Sequence, residues 1–177
     1  MNYSEIKYCD IANGEGVRVS LFVSGCSHCC KDCFNPETWN KNYGKPFTRE
    51  TWEQIFAATK SFVNGLSLLG GDPCEPYNQR ALLPFLREYK KRFPDKNIWC
   101  YTGYTYEELT GESKVNIECT DEILSLTDIL VDGPFVAELK NIGLIFRGSS
   151  NQRIIDVKQT LSTGNIVQWE GIKRDRI

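Results

Sequence analysis

The sequence has a single histidine, a net charge of -2 and no run of apolar residues near the length needed to cross a bilayer. Each shortage excludes something. The charge balance, with no basic stripe, gives no general reason to expect nucleic acid as a partner, and the short apolar runs give none to expect a membrane. His28 lies only two residues from Cys26, whereas a cysteine–histidine nucleophilic pair normally meets across a fold. The first residues, M-N-Y-S-E-I-K-Y-C-D, lack the charged head, apolar stretch and cleavage site of a secretory signal, so a cytoplasmic chain is expected. Internal repeats, low-complexity segments and linkers are also missing. With 177 residues, 41% hydrophobic and 25% charged, the expectation is one soluble globular domain over 1–177.

What the chain has in quantity is cysteine. Disulfides are not maintained in the cytoplasm, so its eight cysteines read as core thiols, metal ligands or catalytic groups. Cys9, Cys74, Cys100 and Cys119 are scattered and read as small buried hydrophobes. The other four crowd with His28 into V-S-G-C-S-H-C-C-K-D-C-F-N, Val23 to Asn35.

The order of elements locates that crowd. G-V-R-V-S-L-F-V-S-G alternates Val17, Val19, Leu21 and Val23, which predicts a strand running into the cysteines. A helix is predicted after Thr48, with Trp52, Ile55, Phe56 and Thr59 at helical spacing, and then a short strand, Leu66 to Leu69, broken by G-G-D-P. Asn78 is expected to open a second helix bearing Leu82, Leu86, Tyr89 and Phe93 on one face, with Pro84 in an early turn. Strands follow at Asn97–Thr102 and Ile129–Gly133, a capping box at Thr105–Glu108, and a last helix at Asn151–Leu161. This alternation favours an α/β fold with a largely parallel sheet and helical crossovers. In such folds the loops at the carboxyl ends of strands do the work, and C-S-H-C-C-K-D-C-F, G-G-D-P, Y-T-G-Y and V-D-G-P-F all follow predicted strands.

Zinc, a nucleophilic thiol and an iron–sulfur cluster compete for the cysteines. A structural zinc site wants four ligands, commonly two separated pairs, and no second pair or downstream histidine set is present. His28 could complete a zinc site with three cysteines, but ligands this close would struggle to surround one ion; otherwise it reads as a solvated loop residue. Cys26, Cys30 and Cys33 are spaced C-x3-C-x2-C, and three thiolates in one loop can hold three irons of a 4Fe-4S cluster, leaving the fourth open to another ligand. A rival triad, Cys26, Cys29 and Cys33, is also available.

C-x3-C-x2-C after the first predicted strand, with G-G-D after a later one, resembles the radical S-adenosylmethionine enzymes. The ordered set V-x-G-C-x3-C-x2-C-F-N, L-x-G-G-D-P, T-G-Y, V-D-G-x-F and R-G-S-S-N-Q-R is similar, within them, to the activating proteins of anaerobic ribonucleoside-triphosphate reductases. The resemblance spans roughly Tyr3 to Arg153. It implies Cys26, Cys30 and Cys33 as cluster ligands, Cys29 as a spectator, and S-adenosylmethionine on the open iron. It implies Gly70, Gly71 and Asp72 for the amino end of that ligand, with Asp32, Cys33 and Phe34 presenting backbone groups and an aromatic surface near the adenine. The chain is short for a complete barrel of about 250 residues, so an incomplete TIM-like β/α barrel with an open side is expected. The implied reaction is hydrogen abstraction from a glycine of the reductase, fed by a flavodoxin-like electron donor; the alternatives are another small radical enzyme, either a different glycyl-radical activase or one forming a deazapurine, and a non-catalytic zinc-binding protein. Arg147 and Arg153 read either as partners of an anion or as a solvated helix start capped by Asn151; Trp99, Tyr101 and Tyr104 read as core or wall aromatics. The segment Ser162–Ile177 contains a turn and a short apolar stretch with no assigned role.

Overall fold

A computed structural model describes residues 1–171. Its strands are β1 (Asn2–Asp10), β2 (Arg18–Val23), β3 (Lys45–Pro46), β4 (Gly65–Gly70), β5 (Asn97–Tyr101), β6 (Ile129–Asp132) and β7 (Arg153–Asp156). The helices are α1 (Arg49–Ala58), α2 (Pro76–Arg92), α3 (Tyr106–Thr110), α4 (Thr120–Leu126) and α5 (Val157–Thr163). The strands form one sheet in the order β3-β1-β2-β4-β5-β6-β7. Only its centre, β2-β4-β5-β6, is parallel; β1, β3 and β7 pair antiparallel. The fold is mixed α/β with a partly parallel sheet that is not closed into a barrel.

Strand alternation divides the molecule into two faces. Val19, Leu21, Val23, Leu66, Leu68, Ile98, Cys100, Leu130 and Ile155 point into a core that α1, α2, α3, α4 and α5 cover with residues such as Ile55, Leu86, Leu109, Ile123 and Val157. The intervening residues point the other way. There Trp99, Ile129 and Val131 pack with Tyr101, Phe146, Ile154 and Trp169, and Arg18 is fully buried. The Arg18 guanidinium donates to Ser67 Oγ at 2.6 Å and to the carbonyls of Leu66 at 2.7 Å and Glu15 at 3.0 Å, which satisfies a charge whose pKa burial lowers to about 10.

Several sequence expectations need correction. The segment predicted as a helix from Asn151 begins as β7, because Ile154 and Ile155 serve opposite faces of the sheet; α5 starts only at Val157, where the Asp156 side chain accepts from Gln159 N at 2.9 Å. Helix α2 starts at Pro76 rather than Asn78, so Pro84 lies well inside it. Pro84 is exposed while Leu82, Leu83, Phe85 and Leu86 are buried, so the lost backbone bond falls on the wet side and the packing outweighs it. Cys9 is exposed on an outer strand, whereas Cys74, Cys100 and Cys119 are buried as expected. The capping box at Thr105 forms with Glu108. No helix among the described residues is long and apolar enough to cross a membrane. Residues 172–177 of the unassigned tail lie outside the described residues.

Candidate functional site

The four loops expected on one face do meet there. They enclose a cavity of about 420 Å³ on the sheet face opposite the helices, lined by Cys26, Cys30, Cys33, Phe34, Gly70, Gly71, Asp72, Gly103, Gly133 and Arg147 among others. The loop after β2 is stitched to the loop after β4 by backbone bonds, Gly71 N to Val23 O at 2.7 Å and Asp72 N to Gly25 O at 2.8 Å. That closeness requires glycine: a Cβ on Gly71 would stand 2.5 Å from the Gly25 carbonyl oxygen, and Gly70, at φ +109°, would press one against the backbone of β2.

Two residues of the cysteine loop, Cys29 (φ 47°) and Asp32 (φ 57°), take the left-handed conformation, each immediately before a cavity cysteine. The turn at Cys29 separates neighbours. Cys26, Cys30 and Cys33 are half-buried and line the cavity, whereas Cys29 is exposed and does not. Asp32 also stays off the cavity wall, and Phe34, largely exposed, forms its rim against Phe135 at 5.7 Å. Burial pushes the Cys26 thiol up to about 12, with the Asp72 charge adding to it, and burial raises Cys30 as well. Binding a cation there must therefore displace protons.

Asp72 is buried and saturated. Its Oδ1 accepts from Cys74 N at 2.8 Å and Thr102 Oγ1 at 2.9 Å, and its Oδ2 from Gly103 N at 2.9 Å and His28 Nε2 at 3.0 Å. His28 is thus not the solvated residue the sequence suggested. The Asp72 hydrogen bond raises its pKa against the opposing effect of burial, and its ring packs on Tyr104 at 4.3 Å. Glu75, another buried carboxylate, accepts from Ser27 N at 2.7 Å and Tyr104 Oη at 3.2 Å.

The two arginines of R-G-S-S-N-Q-R separate. Arg147 reaches the cavity wall, anchored by one bond from Nη1 to the Gln152 carbonyl at 2.7 Å. Arg153 instead begins β7 and pairs with buried Asp132 and with Glu107. Gln152, which sequence reasoning passed over, joins two loops: its Oε1 accepts from Gly148 N at 2.9 Å and its Nε2 donates to Gly133 O at 3.1 Å. Also missed was the D-I-A-N-G-E-G loop, which Asp10 folds over the site by accepting from Ser20 Oγ at 2.6 Å, Ala12 N at 2.9 Å and Asn13 Nδ2 at 2.6 Å, so that Ala12 and Asn13 line the cavity. Its glycine-rich turn was the available signal.

The donor set suits an iron–sulfur cluster with a polar ligand beside it. Among the described residues no three His, Cys, Asp or Glu side chains gather about one metal-ion position; three thiols instead open onto a chamber. Trp39 Nε1 and Tyr101 Oη are buried without a hydrogen-bond partner, and both residues line that chamber. Orphaned polar groups on a cavity wall fit a ligand that completes them.

Comparison with known proteins agrees with this chemistry. Residues 12–155 match the 4Fe-4S single cluster domain family. The chain is 41% identical over 157 residues to the anaerobic ribonucleoside-triphosphate reductase-activating protein of Pasteurella multocida (strain Pm70), covering 87% of this chain and 96% of that one. It is 43% identical over 157 residues to the protein of the same name from Vibrio cholerae serotype O1, covering 87% and 97%. The Escherichia coli (strain K12) protein of that name is 42% identical over 155 residues, covering 86% and 96%. The chain belongs to the anaerobic ribonucleoside-triphosphate reductase-activating proteins.

Proposed function

We propose that this protein activates an anaerobic ribonucleoside-triphosphate reductase by generating a glycyl radical on it, as a one-domain radical S-adenosylmethionine enzyme. The observation that carries the reading is the common cavity wall formed by Cys26, Cys30, Cys33 and the Gly70-Gly71-Asp72 turn, in a chain that resembles proteins named for that activation over 86–87% of its length. When bound, a 4Fe-4S cluster and S-adenosylmethionine supply a 5′-deoxyadenosyl radical by reductive cleavage of a carbon–sulfur bond.

The chain's own residues then have definite tasks. Cys26, Cys30 and Cys33 would hold the cluster as thiolates, and since burial favours the protonated thiols of Cys26 and Cys30, its binding would have to displace those protons. The backbone of Gly70 and Gly71 would receive the amino end of the ligand, and Asp72 fixes that turn by accepting from Cys74 N and Gly103 N. Cys33 and Phe34, with the Asp32 turn behind them, present backbone and aromatic surface to the adenine, and Arg147 offers a guanidinium to a carboxylate. The apolar wall of Phe135, Leu144 and Phe146 excludes water from the reactive centre. We read the open sheet as an incomplete β/α barrel whose missing strands leave room for a protein substrate, with a flavodoxin-like protein as the electron source.

Metal and product analysis after anaerobic reconstitution tests this reading. It requires about four irons and four sulfides per chain, with methionine and 5′-deoxyadenosine released on reduction. Zinc without sulfide would contradict it.

A further inference from the structure

We infer that His28 is a positioning residue: it fixes Asp72 against the cysteine loop and so sets the separation between the cluster ligands and the turn that receives S-adenosylmethionine. This rests on the reading of the cavity given above. A carboxylate offers about four acceptor positions, and those of Asp72, only 1% exposed, are filled by Cys74 N, Thr102 Oγ1, Gly103 N and His28 Nε2. The first three donors belong to Asp72's own loop and to the loop after β5. His28 alone belongs to the cysteine loop.

The ring is packed between its neighbours, with 17% of the side chain exposed. It packs on Tyr104 at 4.3 Å and lies so close to Gly103 that a Cβ there would stand 2.5 Å from it. Tyr104 is held in turn by Ser27 Oγ at 3.1 Å and Glu75 at 3.2 Å. His28 is therefore a wedged spacer with Asp72 on one side and Tyr104 on the other, and it stands between Cys26 and Cys30 in the chain. Glycine at 103 admits the imidazole, which explains a residue type that a plain wall would not need. In the opposite arrangement His28 would occupy the place of the ligand's ammonium on Asp72 and be expelled by it. The two roles have opposite signs, since removing a spacer weakens binding and removing a competitor strengthens it.

The test uses the reconstituted full chain. His28→Leu keeps bulk without a donor, and His28→Gln restores an N–H near the position of Nε2. Iron and sulfide content is measured first, then the dissociation constant of S-adenosylmethionine by equilibrium dialysis, and then the change in the electron paramagnetic resonance signal of the reduced cluster when S-adenosylmethionine is added. The expected result is wild-type cluster content, a loss of affinity of about tenfold or more with a blunted spectral change in His28→Leu, and recovery to within about threefold in His28→Gln. Wild-type or tighter binding by His28→Leu, with the spectral change intact, overturns the inference. If His28→Leu does not assemble a cluster, His28→Gln decides alone: near-wild-type binding supports the inference and a tenfold loss overturns it. Failure of the wild-type protein itself to bind S-adenosylmethionine overturns the reading of the cavity instead, and is distinguished by occurring without any substitution.

Discussion

Cys29 and Cys30 are neighbours in the chain that face opposite ways, Cys30 into the cavity and Cys29 into solvent, because the backbone at Cys29 turns through a left-handed conformation. Spacing alone could not choose between them. The prediction is that Cys30→Ser assembles little or no 4Fe-4S cluster, while Cys29→Ser retains wild-type iron and sulfide. Metal and sulfide analysis checks both, and a reversed pattern would give the third ligand to Cys29.

Arg147 and Arg153, equivalent by sequence, should behave differently. Arg153 pairs with Asp132, which is 1% exposed, and Asp132 also accepts from Tyr106 N at 2.7 Å. Arg153→Met leaves that carboxylate buried without its cation, and because Arg153 is itself partly solvated the cost is about 2–3 kcal/mol, below the full range for buried pairs. Denaturant unfolding measures it. Arg147→Met should leave stability within about 0.5 kcal/mol and instead weaken S-adenosylmethionine binding, read by equilibrium dialysis.

Asp128 links acidity to stability. Burial alone would raise its pKa, but bonds from Lys158, Lys90 at 2.6 Å and Ile98 N at 2.7 Å together lower it. A carboxylate depressed in the folded state stabilises above its unfolded pKa and loses that contribution as pH falls through the folded value. Urea midpoints should therefore drop as pH is taken below about 4, the unfolded aspartate value, and Asp128→Asn should be less stable at neutral pH with a flatter dependence over that range. An identical slope in the variant would remove Asp128 from the account.

The parts of the fold visible in the sequence were those where one physical signal dominated. Val19, Leu21 and Val23 alternate because one face of β2 meets the helices, and Trp52, Ile55 and Phe56 recur at helical spacing for the same reason. Strand β1 was not anticipated: Glu5, Lys7, Tyr8 and Cys9 are exposed on it, so no alternation marks it. Strand β7 was mistaken for helix because its four residues abut a true helix and only pairing with β6 decides the matter. The cavity was legible to the extent that cysteines and glycines mark loops. His28, Gln152 and the Asp10 loop were not, because their importance lies in hydrogen bonds to residues distant in the chain, such as Asp72, Gly133 and Ser20.

The central claim is radical transfer to a glycine of the reductase. The most direct measurement is electron paramagnetic resonance of the reconstituted, reduced protein mixed anaerobically with S-adenosylmethionine and the reductase from the same source. The account predicts a glycine-centred doublet on the reductase, absent when Cys30→Ser replaces the wild-type chain. Release of 5′-deoxyadenosine with no protein radical would contradict the assigned substrate, and neither product from a chain with a full cluster would contradict the mechanism.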